Sequence, residues 1–165
     1  MRDPNVFEPA WEPGTPPGLR GQRVGAAAGA TELGATVYEL APGGAISPYH
    51  LHHANEELLV VLSGRPLLRT PDGTRRLEPG AVVAFPRGPD GAHRVANPGD
   101  EPARVLLVST MNLPEIAVHV TTGTVLTMTA LGQGQAWPAG GEEPFMELYG
   151  KAMELDAAED GRSTS

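Results

Sequence analysis

Two histidines separated by one residue, His50 and His52, are followed by a carboxylate, Glu57, within the stretch His50-Leu-His-His-Ala-Asn-Glu-Glu57. On an extended chain, residues two apart point to the same face of a sheet, so the two imidazoles share a side. Ala54-Asn55 reads as a short turn that returns the chain to that face. Glu57 then opens a strand whose alternate positions, Leu59 and Val61, lie on its side. Two imidazoles and one carboxylate thereby converge, a donor set that suits Fe(II) and similar divalent ions. A bare His-x-His also fits a surface pair on a loop before a hairpin; Pro48 before the pair, the acidic pair after it and Gly64 closing the strand weigh against that. The same alternation turns His53 away from His50 and His52, which makes it a surface or interface residue. Strand register favours Glu57 over Glu56 as the carboxylate.

The surrounding sequence is of the kind that builds strands. From Glu32 to Thr129, short apolar or β-branched runs such as Ala35–Leu40, Glu57–Leu62, Ala81–Phe85 and Arg104–Val108 alternate with turn signals. Pro42-Gly43-Gly44, Glu78-Pro79-Gly80 and Asn97-Pro98-Gly99-Asp100 are such signals, and Asp72-Gly73 marks a tight hairpin. Strands of this length with turns at this spacing imply an all-β sandwich or barrel. The ends differ. Residues 1–31 read as an irregular, proline-rich arm with at most one strand, near Leu19–Val24, and with Phe7 and Trp11 as apolar anchors. Residues 32–130 form the barrel. Residues 131–165 form an extension in which Phe145, Leu148, Tyr149, Ala152 and Leu155 recur at helical spacing, predicting a helix over about 144–156 and a frayed tail from 157. Gly150 weakens that helix by about 1 kcal/mol against Ala.

At 165 residues the chain is one ordinary domain. It has no cysteine, so a metal must be held by imidazole nitrogen and carboxylate oxygen rather than thiolate. The net charge of −8, with only 12 Lys and Arg, argues against a nucleic-acid surface, which needs a basic patch. No run has the length of a membrane span or of a signal-peptide apolar region, and the expectation is a cytoplasmic protein.

With these residues in view, the chain resembles the cupins. Gly44, His50, His52, Glu57 and Gly64 match the first cupin motif, Gly-x5-His-x-His-x4-Glu-x6-Gly, at every position. Gly80, Pro86, Gly88, His93 and Asn97 match the second, Gly-x5-Pro-x-Gly-x2-His-x3-Asn, with one departure: Pro89 to Ala92 place four residues, not two, between Gly88 and His93. The resemblance covers about residues 33–112 and is closest to small bacterial single-domain cupins. It implies a double-stranded β-helix (a jelly-roll barrel) and a metal site of His50, His52, Glu57 and His93. That set leaves open positions on one divalent transition metal ion per chain, with Fe, Mn, Ni, Zn and Cu all compatible. A homodimer follows from family habit and from the edge strands a single barrel exposes.

Strand alternation makes Tyr38, Tyr49, Leu59, Val61 and Phe85 candidate pocket residues, with Tyr38 and Tyr49 more often packing residues than substrate contacts. His119 reads as an ordinary strand histidine. Arg87 and Asp90 flank the mouth implied by the second motif and either close it or are solvated. No nucleophilic Ser or Cys stands beside a matched base, so the expected chemistry is metal-centred: an enzyme acting on a small molecule, of oxygenase-like, isomerase or cyclase type. The alternative is a non-catalytic module that binds a small ligand or a metal. The sequence identifies no catalytic residue beyond the metal set and does not name the substrate.

Overall fold

A computed structural model describes residues 3–130, 133–138 and 145–163, the side chains of 145–146 and 162–163 excepted. Among the described residues, twelve strands pair in three antiparallel ladders. The first is a five-stranded sheet in the order β1 (Leu19–Gln22), β2 (Gly34–Leu40), β9 (Ala103–Ser109), β4 (Glu57–Ser63), β7 (Val82–Phe85). The second runs β12 (Gln133–Trp137), β11 (Thr124–Ala130), β10 (Glu115–His119), β3 (His50–His52). The third runs β6 (Gly73–Arg76), β5 (Leu67–Thr70), β8 (Arg94–Ala96). Bridges at His50↔His93 and Ala45↔Ala96 join the second ladder to the third. The two motifs therefore meet as neighbouring strand segments. One core cluster takes Leu40, Leu59, Val61, Phe85 and Val105 from the five-stranded sheet and Leu68 and Val95 from the third ladder. This is the all-β barrel expected from the turn spacing.

Local chemistry explains the critical turns. Gly64 has φ 75°, and a Cβ there would stand 2.6 Å from the Ala103 backbone, so only glycine lets β4 leave the sheet beside β9. The residues inserted before His93 fold into a 3₁₀ turn, Pro89–Gly91. A Cβ on Gly91 would lie 1.7 Å from the Pro86 carbonyl oxygen, so the turn doubles back tightly. It absorbs the extra length without moving His93 out of register with His50.

Several expectations need correcting. The β5–β6 hairpin closes over Pro71-Asp72, with Thr70 paired to Gly73, so Gly73 begins the return strand instead of lying in the loop. In the arm, β1 ends at Gln22 and Val24–Ala27 forms a short helix, α1. Trp11 is held between the guanidinium groups of Arg20 and Arg104, 4.9 and 5.4 Å from the ring centre. Phe7 is exposed and contributes its carbonyl to Arg104, not its ring to the barrel. Strand β12 was unforeseen.

The C-terminal helix, α2 (Phe145–Ser163), runs seven residues past the expected end at 156. Residue 144, the expected start, and residues 164–165 of the tail lie outside the described residues. Leu148 and Ala152 face inward as expected, but Leu155 is half exposed and Asp156 is fully buried in the next position. Asp156 accepts from the Tyr49 N–H at 2.5 Å and from the Thr121 hydroxyl, and faces Arg69 and Arg94 at 3.6 and 3.7 Å. Glu159 pairs with Arg69 and Asp160 with Arg94. These partners sit on the barrel, so sequence spacing alone did not show that a charged position would be the buried one. No described helix is long and apolar enough to cross a membrane.

Candidate metal centre

Three short elements bring the polar residues together. β3 carries His50 and His52 on one face. The Ala54-Asn55 turn returns the chain, and β4 opens with Glu57 on the same inner face as Leu59 and Val61, against exposed Leu58. His93 arrives through its bridge to His50 and stacks on Phe85, rings 3.8 Å apart and 7° from parallel. His50, His52 and Glu57 each place a donor atom within 4.8 Å of the others. The Nε2 atoms of His50 and His52 are 3.0 Å apart. Glu57 Oε2 lies 3.2 Å from His93 Nε2 and 3.4 Å from His52 Nε2.

In His50 and His93 the second nitrogen is occupied elsewhere, which fixes the tautomer. His50 Nδ1 donates to the Pro48 carbonyl at 2.9 Å, and His93 Nδ1 to the Gly91 carbonyl at 2.9 Å. His52 Nδ1 faces the Glu115 carboxylate at 3.5 Å. The Nε2 atoms of His50 and His93 therefore keep free lone pairs, as metal-ligating histidines do; His50 Nε2 faces His52 Nε2, while His93 Nε2 reaches the group through Glu57. Burial, with His93 and His52 adding to it, holds His50 far below the usual imidazole range, so it is neutral. Burial opposes charge on His52, but Glu57 and Glu115 outweigh it and raise its pKa. For Glu57, burial is likewise overcome by His52 and His93, which hold the carboxyl far below its usual range. Glu57 Oε2 and His52 Nδ1 are buried without a well-formed hydrogen bond.

These donors fit a divalent ion. For metal–donor bonds of about 2.1 Å, adjacent donors stand about 3.0 Å apart in an octahedron and about 3.4 Å in a tetrahedron. The gaps of 3.0, 3.2 and 3.4 Å fall in that range. At 3.0 Å the His50 and His52 Nε2 atoms can share either a proton or a cation.

Two cavities open on the cluster. One, of about 260 Å³, is lined by Tyr38, Ile46, Ser47, the three histidines, Glu57, Val95, Leu107 and Tyr149. The other, of about 190 Å³, shares Tyr38, His52, Glu57 and Leu107 and continues past Thr36, Asn55, Met111 and Glu115 to Met128. Of the expected pocket residues, Tyr38 lines both. Leu59 and Val61 do not: they share the face of Glu57, but at about 3.3 Å per residue they lie deeper, in the core. Phe85 is the backing of His93. Tyr49 packs with Leu51 and Ala92 under the Arg69 guanidinium. His119 is buried against Tyr149 outside both cavities, and burial lowers its pKa. His53 is exposed, as alternation required.

Glu115 and Tyr149 are the residues that the sequence reading missed. Glu115 is 1% exposed and accepts from the N–H groups of His53 and Ala54 at 3.1 and 3.2 Å, and from Asn55. It thereby ties the β3–β4 turn to β10 and aims at His52. The available signal was alternation in β10, where Glu115, Ala117 and His119 all face inward. Tyr149 reaches the cavity from α2, and its hydroxyl donates to the Ile46 carbonyl at 3.0 Å.

Residues 36–109 match the Cupin_2 family, described as a cupin domain. Among solved structures, the barrel is similar to a sugar phosphate isomerase of the cupin superfamily from Silicibacter pomeroyi: 27% identity over 79% of this chain and 82% of that one, TM-score 0.72. It shares its fold with an Acidithiobacillus ferrooxidans protein proposed to be a sugar phosphate isomerase (24%, 77% and 80%, TM-score 0.68). It is also similar to the polyketide cyclase RemF from Streptomyces resistomycificus (25%, 70% and 83%, TM-score 0.56). No curated protein matches the chain in sequence.

Proposed function

We propose that this protein, a cupin barrel carrying a Cupin_2 domain, is a metal-dependent enzyme of isomerase or cyclase type that acts on a small oxygen-bearing molecule. The observation that carries the reading is the convergence of His50, His52 and Glu57 donor atoms, with His93 against Glu57, at the junction of two cavities. His50, His52, Glu57 and His93 would hold the ion. A divalent ion there supplies Lewis-acid polarisation of a bound carbonyl. Sugar isomerisation and ring closure of a polyketide both require loss of a proton beside a carbonyl, so one site chemistry serves the activities named for two similar structures.

The chain's own residues supply orientation. Burial raises the Tyr38 and Tyr149 phenols, so both stay protonated at neutral pH; Tyr38 can donate to a ligand oxygen from the cavity wall, while the Tyr149 hydroxyl donates to the Ile46 carbonyl and fixes the wall. Val95, Leu107 and Ile46 exclude water from the opposite side.

The test is proton exchange. Protein loaded with Mn, Fe, Co, Ni or Zn is incubated with enolisable hydroxyketones in D₂O, and deuterium incorporation is followed by NMR. Exchange in the wild type that is lost in His52→Ala supports the reading. Metal and ligand binding with no exchange under any loading overturns it in favour of a binding module.

We also propose a homodimer. β7 is an unpaired sheet edge whose Val82 is 61% exposed, and Phe7 on the arm is 68% exposed. Such edges template pairing with another chain. A light-scattering mass near 17.3 kDa at all micromolar concentrations would refute it.

A further inference from the structure

We infer that the site selects an uncharged ligand with adjacent oxygen atoms beside an apolar flank, and turns away phosphate esters; this rests on the metal-site reading above. A phosphate monoester carries about −1.5 to −2 charges at neutral pH and is held by guanidinium or ammonium groups or by a helix N-terminus. The described residues lining the two cavities include no Lys or Arg. Six arginines are paired elsewhere: Arg69 and Arg94 to the Asp156 cluster, Arg20 and Arg104 to Glu39, Arg23 to Glu12, Arg65 to Glu78; exposed Arg75, Arg76 and Arg87 line neither cavity. The charged groups that do line the cavities are Glu57 and Glu115 beside the histidines. The nearby backbone donors of His53 and Ala54 are already taken by Glu115. A phosphate entering here would lose water and meet carboxylates.

The same walls suit a neutral, apolar-flanked molecule. Leu107, Met111, Leu113 and Met128 form the apolar side of the second cavity, while the Thr36 and Ser109 hydroxyls offer uncharged hydrogen-bonding groups; the Asn55 amide and Asn112 Nδ2 are spent on the turn itself. Methionine adapts to irregular or aromatic shapes. Met111 is placed for this by two features. Its φ of 53° is one that non-glycine residues hold only where neighbours enforce it, and the next residue, Asn112, is fixed by its N–H donating to Asn55 at 2.5 Å. Opposite, Gly34 leaves the space that Met111 Sδ occupies, since a Cβ on Gly34 would lie 2.5 Å from that sulfur. The likeness to the sugar phosphate isomerase is thus one of fold, while the described cavity walls carry no Lys or Arg to pair with a phosphate.

The experiment has two stages. First, chelator-stripped protein is titrated calorimetrically with Co(II). Failure to bind the ion sinks the metal-site reading itself. Second, the Co(II)-loaded protein is titrated with 2-hydroxyacetophenone, fructose 6-phosphate and inorganic phosphate, with the visible Co(II) spectrum as readout. The expected result is at least tenfold tighter binding of the aromatic hydroxyketone than of the sugar phosphate. Met111→Ala should weaken the hydroxyketone about tenfold and leave Co(II) uptake unchanged. Leu113→Arg, at a half-exposed position on the rim, should raise affinity for fructose 6-phosphate at least tenfold. Equal or tighter binding of the sugar phosphate by the wild type, or binding of neither organic probe by protein that takes up Co(II), overturns the proposal.

Discussion

Beneath α2, Asp156 is buried with Arg69 and Arg94, and Glu159 and Asp160 complete the set, so each charge faces an opposite one. In the cavities, three histidines and Glu57 are also removed from water, yet their donor atoms crowd together with the other nitrogens of His50 and His93 anchored outward. The first cluster is complete within the protein and fastens a helix. The second gathers donors that could hold a shared cation. Burial of titratable groups does not by itself mark a functional site; the direction in which their lone pairs point separates the two cases.

Breaking the second cluster should have the largest effect. His52→Ala should abolish stoichiometric metal uptake, measured by elemental analysis after dialysis, and with it about 4 kcal/mol of stabilisation when the ion is present at a thousand times its dissociation constant. A wild-type protein whose urea midpoint ignores EDTA would remove the contrast altogether. Breaking the first cluster should cost stability without touching the ion. Asp156→Ala removes the acceptor of the Tyr49 N–H and the Thr121 hydroxyl, a loss of about 1–3 kcal/mol by urea denaturation, with metal stoichiometry retained in the folded fraction. Loss of metal from a folded Asp156→Ala would show that the clusters are coupled.

Glu115 lies between the two types, since it is satisfied by backbone donors and also aimed at His52. Glu115→Gln should lower metal affinity about 10- to 100-fold in a competition titration, with circular dichroism unchanged; unaltered affinity would make Glu115 a turn-fastening residue only. At the surface, effects should shrink. Glu39 has burial working against its ionisation, but Arg20 and Arg104 hold its carboxyl below 4.5. The unfolded chain takes up this proton first as pH falls, so the contribution is present above 4.5 and lost as pH drops through the depressed folded value. Glu39→Gln should flatten that acid limb by about 0.2–1 kcal/mol; an unchanged limb would discount the pair. Smallest of all, His53→Ala should change stability by less than about 0.5 kcal/mol and metal content not at all. Loss of metal there would mean that the β3 register is off by one residue.

The sequence made the local part of the site legible. His50, His52 and Glu57 fall within one strand–turn–strand unit, so period-two alternation suffices to converge them, and His93 followed from the second motif. Glu115 comes from a strand more than fifty residues on, and its partner is set by the β10–β3 register, which composition does not reveal. Leu59 and Val61 show the limit of alternation: the face was right and the depth was not. Strand β12, Gln-Gly-Gln-Ala-Trp, is largely exposed and has no apolar period; it exists because β11 offers an edge. Likewise α2 continues past 156 because Arg69 and Arg94 hold Glu159 and Asp160, a tertiary cause invisible to helical periodicity.

The placement of Trp11 between two guanidinium groups has a practical consequence for spectroscopy. The chain has two tryptophans. Trp11 reports arm docking through its neighbours Arg20 and Arg104, whereas Trp137 is 47% exposed with its indole N–H on Thr127. Neither lines the cavities. Intrinsic fluorescence will therefore follow the detachment of the arm and of β12, and a fluorescence melt can finish while the barrel interior is still intact. Tyrosine absorbance, through Tyr38 and Tyr149, is the optical signal that belongs to the cavity.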